Sequence, residues 1–446
     1  MSIETTFGIL AAAARDDAAA PSWSLCERRD ADLDMAAARA ICHVQRLGGG
    51  SVPLLKMLLT NACSYHCKYC INRAGSNVPR ASFKPEELAR IIAQFAVRGL
   101  IQGAFISSGI AGSPDDSMEK LVWMAEILRK RWHYDGYLHL KVLPGSSPEL
   151  IRRAMQYATR VSVNIELPTA ESLAVIAPDK SPDAIMRPME TIAHVLQEQE
   201  TLRADRLHGR KTDRSLQEHA EVFPDAGSGG QTTQLIVGAS PESDAVILRL
   251  AQHLYHNFGV RRVYYSAFRA EDADPSLPRP PAPPVRREYR LYQADMLLRS
   301  YGFTAEELFA GAPPFLLEDL DPKTAWALSH PEWFPLELTT AEYGQLLRVP
   351  GIGPAGARKI LAARRAGSLQ AQTLKRAGVN LRRAQWFITI RGQALPWDLA
   401  LLPSVPPAGF RTPVDALADT NLMQQLLSEH HQEEKAFRQP ELDLGL

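Results

Sequence analysis

Leu58-Leu59-Thr60-Asn61-Ala62-Cys63-Ser64-Tyr65-His66-Cys67-Lys68-Tyr69-Cys70 is the stretch on which the reading of this chain turns. Three of the five cysteines fall here, spaced C-x3-C-x2-C. Closely spaced Cys thiolates hold iron–sulfur clusters. Three thiolates on a four-iron cube leave one iron open, and an open position separates a catalytic metal site from a closed structural one. The same spacing also suits a structural zinc site, with His66, Cys42 or His43 as fourth ligand.

Working outward, 52–60 is a short apolar run bounded by Pro and Asn, and is read as a buried strand that feeds the cysteine loop. Arg73 and Arg80 extend that loop and are candidates for an anionic ligand, exposed arginines being the plainer alternative. A helix is expected over 84–98, with Pro85 in its first turn and Glu86 and Glu87 at its positive end. Strands are expected at 103–110, 137–143, 160–167, 234–239 and 262–268. Helices are expected at 117–132, 148–157, 169–199 with a break at Ser181-Pro182, and 242–258. The residues 201–230 read as an excursion loop. Strands alternating with helices argue for parallel βαβ units, and sites in such folds sit at the carboxyl ends of the strands. In the 160–167 run, alternation puts Ser162, Asn164 and Glu166 on one face, for ligand contact or for a hydrogen-bonded interior layer.

Ahead of this region, 30–46 reads as a helix stopped by Gly48-Gly49-Gly50, with Cys26 and Cys42 as packed free cysteines. The 446 residues, 45% hydrophobic and 22% charged, suffice for two or three domains with a sizeable core. The first 20 residues lack the basic start and apolar centre of a signal peptide, and no apolar run approaches the roughly 20 residues of a membrane span. Clustered rather than dispersed cysteines suit a reducing compartment, so a cytoplasmic protein is expected.

The cysteine stretch resembles the signature of the radical S-adenosylmethionine (SAM) enzymes in its spacing, in Tyr69 before the last Cys, and in the strand before it. The resemblance implies that Cys63, Cys67 and Cys70 bind three irons of a 4Fe-4S cluster and that SAM chelates the fourth. It implies reductive cleavage of SAM to a 5′-deoxyadenosyl radical that abstracts hydrogen from substrate, with the electron delivered by a donor such as flavodoxin or ferredoxin. It implies a partial (β/α)6 TIM-type barrel. In that frame Tyr69, Ser107, Ser108, Gly109, Ser162, Asn164, Glu166 and the turn at Gly238 are the cofactor-binding candidates. The acidic residue usual after the second strand is missing here.

A second signal lies at Leu346-Leu347-Arg348-Val349-Pro350-Gly351-Ile352-Gly353-Pro354-Ala355-Gly356-Ala357-Arg358-Lys359-Ile360-Leu361, which resembles a helix-hairpin-helix motif. Glycines let backbone approach a phosphate, and amides at a helix start donate to it. The residues 368–392 resemble a degenerate second copy. Between 341 and 392 there are eight Arg and two Lys against one Glu, in a chain of zero formal net charge. Such a basic patch is an electrostatic footprint for nucleic acid, and its contacts position DNA without reading sequence. The candidates are Pro350, Gly351, Ile352, Gly353, Arg358 and Lys359; the alternative is a hairpin that meets another protein.

Together, 67–73, 78–83, 107–110, 290–295 and 349–353 resemble the DNA modification/repair radical SAM protein family. That resemblance implies action on DNA and a uracil-DNA-glycosylase-like partner. The expected layout is an N-terminal helical extension (1–50), the barrel (51–300), a helical and Pro-rich bridge (301–340), a small all-α helix-hairpin-helix domain (341–395) and a polar tail (396–446). The competing readings are an RNA-modifying enzyme of the same chemistry and a non-catalytic DNA-binding protein with structural zinc.

Overall fold

The structure, a computed structural model, describes residues 2–14, 40–45, 51–207, 227–270 and 273–394. They fall into two compact units: residues up to 242 together with 253–288, and residues 243–252 together with 289–394. Cys26, the body of the helix expected at 30–46, the centre of the 201–230 excursion and the tail beyond 394 lie outside the described residues.

The first unit opens with α1 (Ile3–Ala13), capped by the Ser2 hydroxyl, which accepts from the Thr5 amide at 3.2 Å. Next comes β1 (Ile41–Gln45), where the expected helix should have been finishing. It pairs antiparallel with β2 (Ser51–Leu58), Ile41 opposite Leu55 and Gln45 opposite Ser51. The reason is tertiary: β2 presents a free edge, and Ile41 and Val44 carry the branched side chains that fit a pleated surface. From β2 onward each new strand joins parallel beside the last: β3 (Gly103–Ser107), β4 (Tyr137–Lys141), β5 (Arg160–Ser162), β6 (Gly230–Val237) and β7 (Val260–Ala267).

The crossovers are α2 (Pro85–Val97), α3 (Pro114–Lys130), α4 (Pro148–Tyr157), and the pair α5 (Ala170–Ile176) and α6 (Pro182–Leu207). Their starts are written in the sequence. Pro occupies the first turn of α2, α3 and α4, where no amide is needed. Ser113 and Asp116 close a capping box on α3, with Asp116 Oδ2 accepting from the Ser113 amide at 3.1 Å and Ser113 Oγ from the Asp116 amide at 3.0 Å. Helix α6 runs through Leu207, further than expected, before the chain leaves the described residues.

The two edge strands share one core cluster. Cys42 and Val44 of β1 and Tyr264 of β7 meet Val52, Leu54, Phe105 and Tyr137. A flat seven-stranded sheet would keep its edges far apart, so the sheet is curled into a partial barrel. The α/β architecture expected from the sequence is therefore present, with one antiparallel strand added. Strand β5 is shorter than the eight residues expected. The backbone at Glu166 turns left-handed, with φ of 64°, and the chain regains β6 only through an isolated bridge to Leu235.

After β6 comes α7 (Asp244–Asn257) and after β7 comes α8 (Val285–Tyr301); the chain passes between the units just before α7, within α7 and within α8. The second unit continues with α9 (Ala305–Phe309), α10 (Pro322–Ser329) and a 3-10 turn at Pro331–Trp333. Then follow β8 (Leu336–Glu337), α11 (Tyr343–Leu346), α12 (Pro354–Arg365), α13 (Ala371–Arg376), α14 (Leu381–Ala384), β9 (Ile388–Ile390) and β10 (Gln393–Ala394). The residues read as a bridge, 301–340, belong to this same unit. The unit is not all-α. Strands β8, β9 and β10 form a small sheet, β9 parallel to β8 and antiparallel to β10. The β-branched run Ile388-Thr389-Ile390 favours extension. The carboxylate of Glu337 holds the turn, accepting from the amides of Arg391 at 3.0 Å and Gly392 at 2.8 Å. Those bonds, with others from Thr339, outweigh burial and lower its carboxyl to about 2. No helix among the described residues is long and apolar enough to cross a membrane.

Candidate active site

The cysteine loop leaves the carboxyl end of β2 and is tied down before and after the thiols. The Leu59 amide donates to Ser107 O at 2.8 Å, and Asn61 brackets the far limb, its Nδ2 donating to Pro79 O and its Oδ1 accepting from the Ala81 amide, both at 2.8 Å. The Gly109 amide donates to Thr60 O at 2.7 Å. A Cβ on Gly109 would lie 2.4 Å from Ala62 O, so only glycine lets the β3 turn come this close to the residue before Cys63. The Ser64 amide then reaches Ile110 O at 2.8 Å.

Arg80 is spent on this scaffold. Its guanidinium donates to the carbonyls of Asn61 at 2.6 Å, Asn72 at 2.9 Å and Arg73 at 2.7 Å, and to Ser76 Oγ at 2.8 Å. Arg73 donates to Cys70 O at 3.0 Å. Neither arginine, read as a candidate for an anionic ligand, lines the cavity described next.

Cys63, Cys67 and Cys70 line one cavity at the carboxyl ends of the parallel strands, about 170 Å³ in volume and partly open to solvent. Tyr69 comes from the loop; Ser107, Ser108 and Gly109 come from the end of β3. Asn164 and Glu166 follow β5. Two sequence candidates are absent from the lining. Ser162 Oγ is hydrogen-bonded with His139 Nε2 at 2.9 Å, the interior-layer alternative for that face. Gly238 packs instead toward Pro284, whose Cγ would lie 2.8 Å from an added Cβ, and its φ of 90° makes the turn.

The structure adds lining residues that sequence reasoning passed over: Lys141, Lys180, Gln234, Asn72 and Arg269. Lys180 is the most telling. It follows α5 and reaches back into the cavity, where its Nζ donates to Glu166 Oε1 at 2.8 Å and to Tyr69 Oη at 3.0 Å. Burial raises the Glu166 carboxyl, but Lys180 and then Lys141 overcome this and hold it below the usual carboxylate range. Burial works against the Lys180 ammonium, and Glu166 overcomes it, so this lysine stays charged. The one visible sequence hint was a lysine set between Pro178 and Pro182, in a connection too short to be solvated along its whole length.

Burial pushes the Cys67 thiol up and takes Cys70 to about 12, with repulsion from the neighbouring cysteines adding to both. The three sulfurs are therefore within electrostatic reach of one another. Among the described residues no three His, Cys, Asp or Glu side chains are grouped as ligands of a single metal ion. A four-iron cube takes each thiolate at a separate iron. The other zinc ligands considered are placed elsewhere. His66 is 64% exposed and turns Nδ1 to Asp179 Oδ2 at 3.1 Å. Cys42 and His43 sit on β1, beside the start of β2, whereas the cysteine loop follows its end. The donor set thus fits a three-cysteine cluster.

In the second unit, α11 and α12 flank the turn 349–353, and α13 and α14 flank a second turn with Gly378 at φ of 80°. The turns are joined, the Asn380 amide donating to Gly351 O at 2.9 Å. Gly351 has φ of 83°, and a Cβ there would lie 2.4 Å from Asn380 O. Arg358 and Lys359 are exposed on α12, whose N-cap Gly353 offers no side-chain bond to the first amides. Pro350 and Ile352 are buried; Pro350 has no amide to donate, and the Ile352 amide donates to Val349 O at 3.2 Å. The Ile352 carbonyl is taken by Lys323 Nζ at 2.6 Å.

Residues 57–223 match the Radical SAM superfamily. No curated protein matches the chain. Among solved structures, it is similar to HydG, a maturase of the FeFe-hydrogenase, at 13% identity over 54% of this chain and 48% of that one, with a TM-score of 0.35. The FeFe-hydrogenase maturase HydG from Carboxydothermus hydrogenoformans gives 12% identity, 54% and 50% coverage, and a TM-score of 0.37. A radical SAM methyltransferase from Sphaerobacter thermophilus gives 12% identity, 57% and 70% coverage, and a TM-score of 0.35. The chain spans about half the length of the two maturases. The chain carries a radical SAM superfamily domain over residues 57–223, whose cofactors are a 4Fe-4S cluster and S-adenosylmethionine.

Proposed function

We propose that this radical SAM superfamily enzyme acts on DNA, with the second unit binding the duplex backbone as a helix-hairpin-helix module. When bound, the cluster and SAM supply one-electron cleavage of SAM to a 5′-deoxyadenosyl radical that takes a hydrogen atom from substrate. Cys63, Cys67 and Cys70 hold the cluster. Tyr69, Ser107, Ser108, Gly109, Asn164 and Glu166 surround the space left for SAM.

The observation that carries the DNA assignment is the exposed cationic surface around the two joined turns. Arg358, Lys359, Arg365, Lys375, Arg376 and Arg382 are all exposed there, and Glu342 is the single acid in the same stretch. Each phosphate neutralised releases counterions, so such a surface binds duplex in a salt-dependent, sequence-tolerant way. A base within a stacked duplex cannot reach a cavity at the strand ends of a barrel, so the substrate is a flipped or damaged nucleotide.

The test uses full-length protein loaded with iron and sulfide under anaerobic conditions. Binding to labelled duplex DNA is competed with unlabelled duplex and with transfer RNA. Stronger competition by duplex supports the DNA assignment, and stronger competition by transfer RNA moves the substrate to RNA. An electron donor such as flavodoxin and a uracil-DNA-glycosylase-like partner belong to the same proposal and can be sought by co-purification.

A further inference from the structure

The end of α5 and the short connection 177–181 that follows it touch the cysteine loop at three places. The Lys68 amide donates to Ile176 O at 2.8 Å. The Asp179 carboxylate accepts from the His66 amide at 2.5 Å and lies 3.1 Å from His66 Nδ1. Lys180 Nζ donates to Tyr69 Oη. All three contacts fall between Cys63 and Cys70, so the limb bearing Cys67 is gripped by residues 176–180. The grip is itself anchored: Lys180 is fixed by Glu166, and Glu166 by the β6 backbone, its amide donating to Gln234 O at 3.0 Å and its carbonyl accepting from the Ile236 amide at 2.7 Å.

We propose that Asp179 and Lys180 are positioning residues that clamp the cysteine loop to the barrel and hold Cys67 and Cys70 in the arrangement the cluster requires. The inference rests on the assignment of the three cysteines to a cluster. The clamp also sets charge close to the thiolates. Lys180 is near enough to Cys67 and Cys70 to act on them electrostatically, and it bonds both Glu166 and the loop tyrosine. Partners that orient metal ligands change metal affinity about 10–100-fold when removed, and hydrogen bonds and charge around a cluster change its electronic properties.

The experiment measures iron per chain, the rate of iron release to a chelator, and the electron paramagnetic resonance spectrum of the dithionite-reduced protein. The variants are Lys180→Met, Lys180→Arg, Asp179→Asn and Tyr69→Phe, each as full chain. Because Lys180→Met leaves Glu166 buried without its partner, Lys180→Met/Glu166→Gln is measured beside it, and far-ultraviolet circular dichroism reports folding. The expected result is release about tenfold faster in Lys180→Met, in the double variant and in Asp179→Asn. Tyr69→Phe shifts the spectrum, and Lys180→Arg restores a rate near wild type. Wild-type release rates and spectra in every folded variant would overturn the clamp while leaving the cluster in place. A wild-type chain that takes up no iron overturns the cluster assignment itself, and the clamp with it.

Discussion

Lys180 Nζ lies 2.8 Å from Glu166 Oε1, and both side chains are buried at the mouth of the barrel. Neither charge is tolerable there alone, so removing one partner is costly: Glu166→Ala is expected to lower unfolding free energy by about 3–5 kcal/mol. Glu166→Gln is expected to cost less, since it keeps the shape and a hydrogen-bonding oxygen. The pH dependence has a definite sign. The Glu166 carboxyl is held below its ordinary value, so its contribution is complete above the unfolded carboxylate pKa of about 4.3 and is lost as pH falls through the lower folded value. Denaturant titrations from neutrality to acid should show the gap between wild type and Glu166→Gln narrowing only on the acid side.

Gly109→Ala is expected to disturb the cysteine loop from a distance. The new Cβ would meet the Ala62 carbonyl at 2.4 Å, and that carbonyl is backbone, so β3 and the loop must separate. The helices and the rest of the sheet are untouched. The expected outcome is a folded protein with native far-ultraviolet circular dichroism and reduced iron retention, measured by colorimetric iron after desalting.

Arg358→Ala/Lys359→Ala is expected to weaken duplex binding to the same degree across unrelated sequences, because phosphate contacts carry no base information. The slope of log K against log salt should become shallower by about 0.9 for each phosphate the variant leaves unneutralised. A variant that changed sequence preference and left the slope alone would argue against backbone binding. Fluorescence anisotropy over a salt series measures both quantities.

Lys323 provides a second pH signature, in the other unit. Burial lowers its ammonium to about 7, the pull of Asp321 being too weak to compensate and Arg348 and Arg383 adding to the lowering. The unfolded chain then binds more protons than the folded one between about 7 and the ordinary lysine value of about 10.4. Stability of the second unit should therefore rise as pH is raised across that window. Lys323→Met should flatten the rise, as read from thermal unfolding at a series of pH values.

The strand and helix alternation was legible because parallel strands buried on both faces read as apolar runs, and helices α2, α3 and α4 announce themselves by Pro and acids in the first turn. Strand β1 was not, because five residues before a glycine run also fit the end of a helix, and only β2 decides between them. The end of β5 at Ser162 and the left-handed φ of Glu166 are backbone features that alternation cannot report. The cysteines were legible from spacing alone. Lys180 was not, since it meets Tyr69 across 111 positions of sequence and no local pattern marks a lysine as buried. Ser162 shared the face of Asn164 and Glu166, but its hydroxyl was claimed by His139 on the neighbouring strand.

The central claim is that Cys63, Cys67 and Cys70 hold a cluster that cleaves SAM. Anaerobic reconstitution with iron and sulfide, followed by iron analysis and by chromatography for 5′-deoxyadenosine after adding SAM and dithionite, tests it directly. The expected result is about four irons per chain and 5′-deoxyadenosine from wild type, with both abolished in the Cys63→Ala/Cys67→Ala/Cys70→Ala variant. A colourless protein that carries a single zinc and forms no 5′-deoxyadenosine would contradict it.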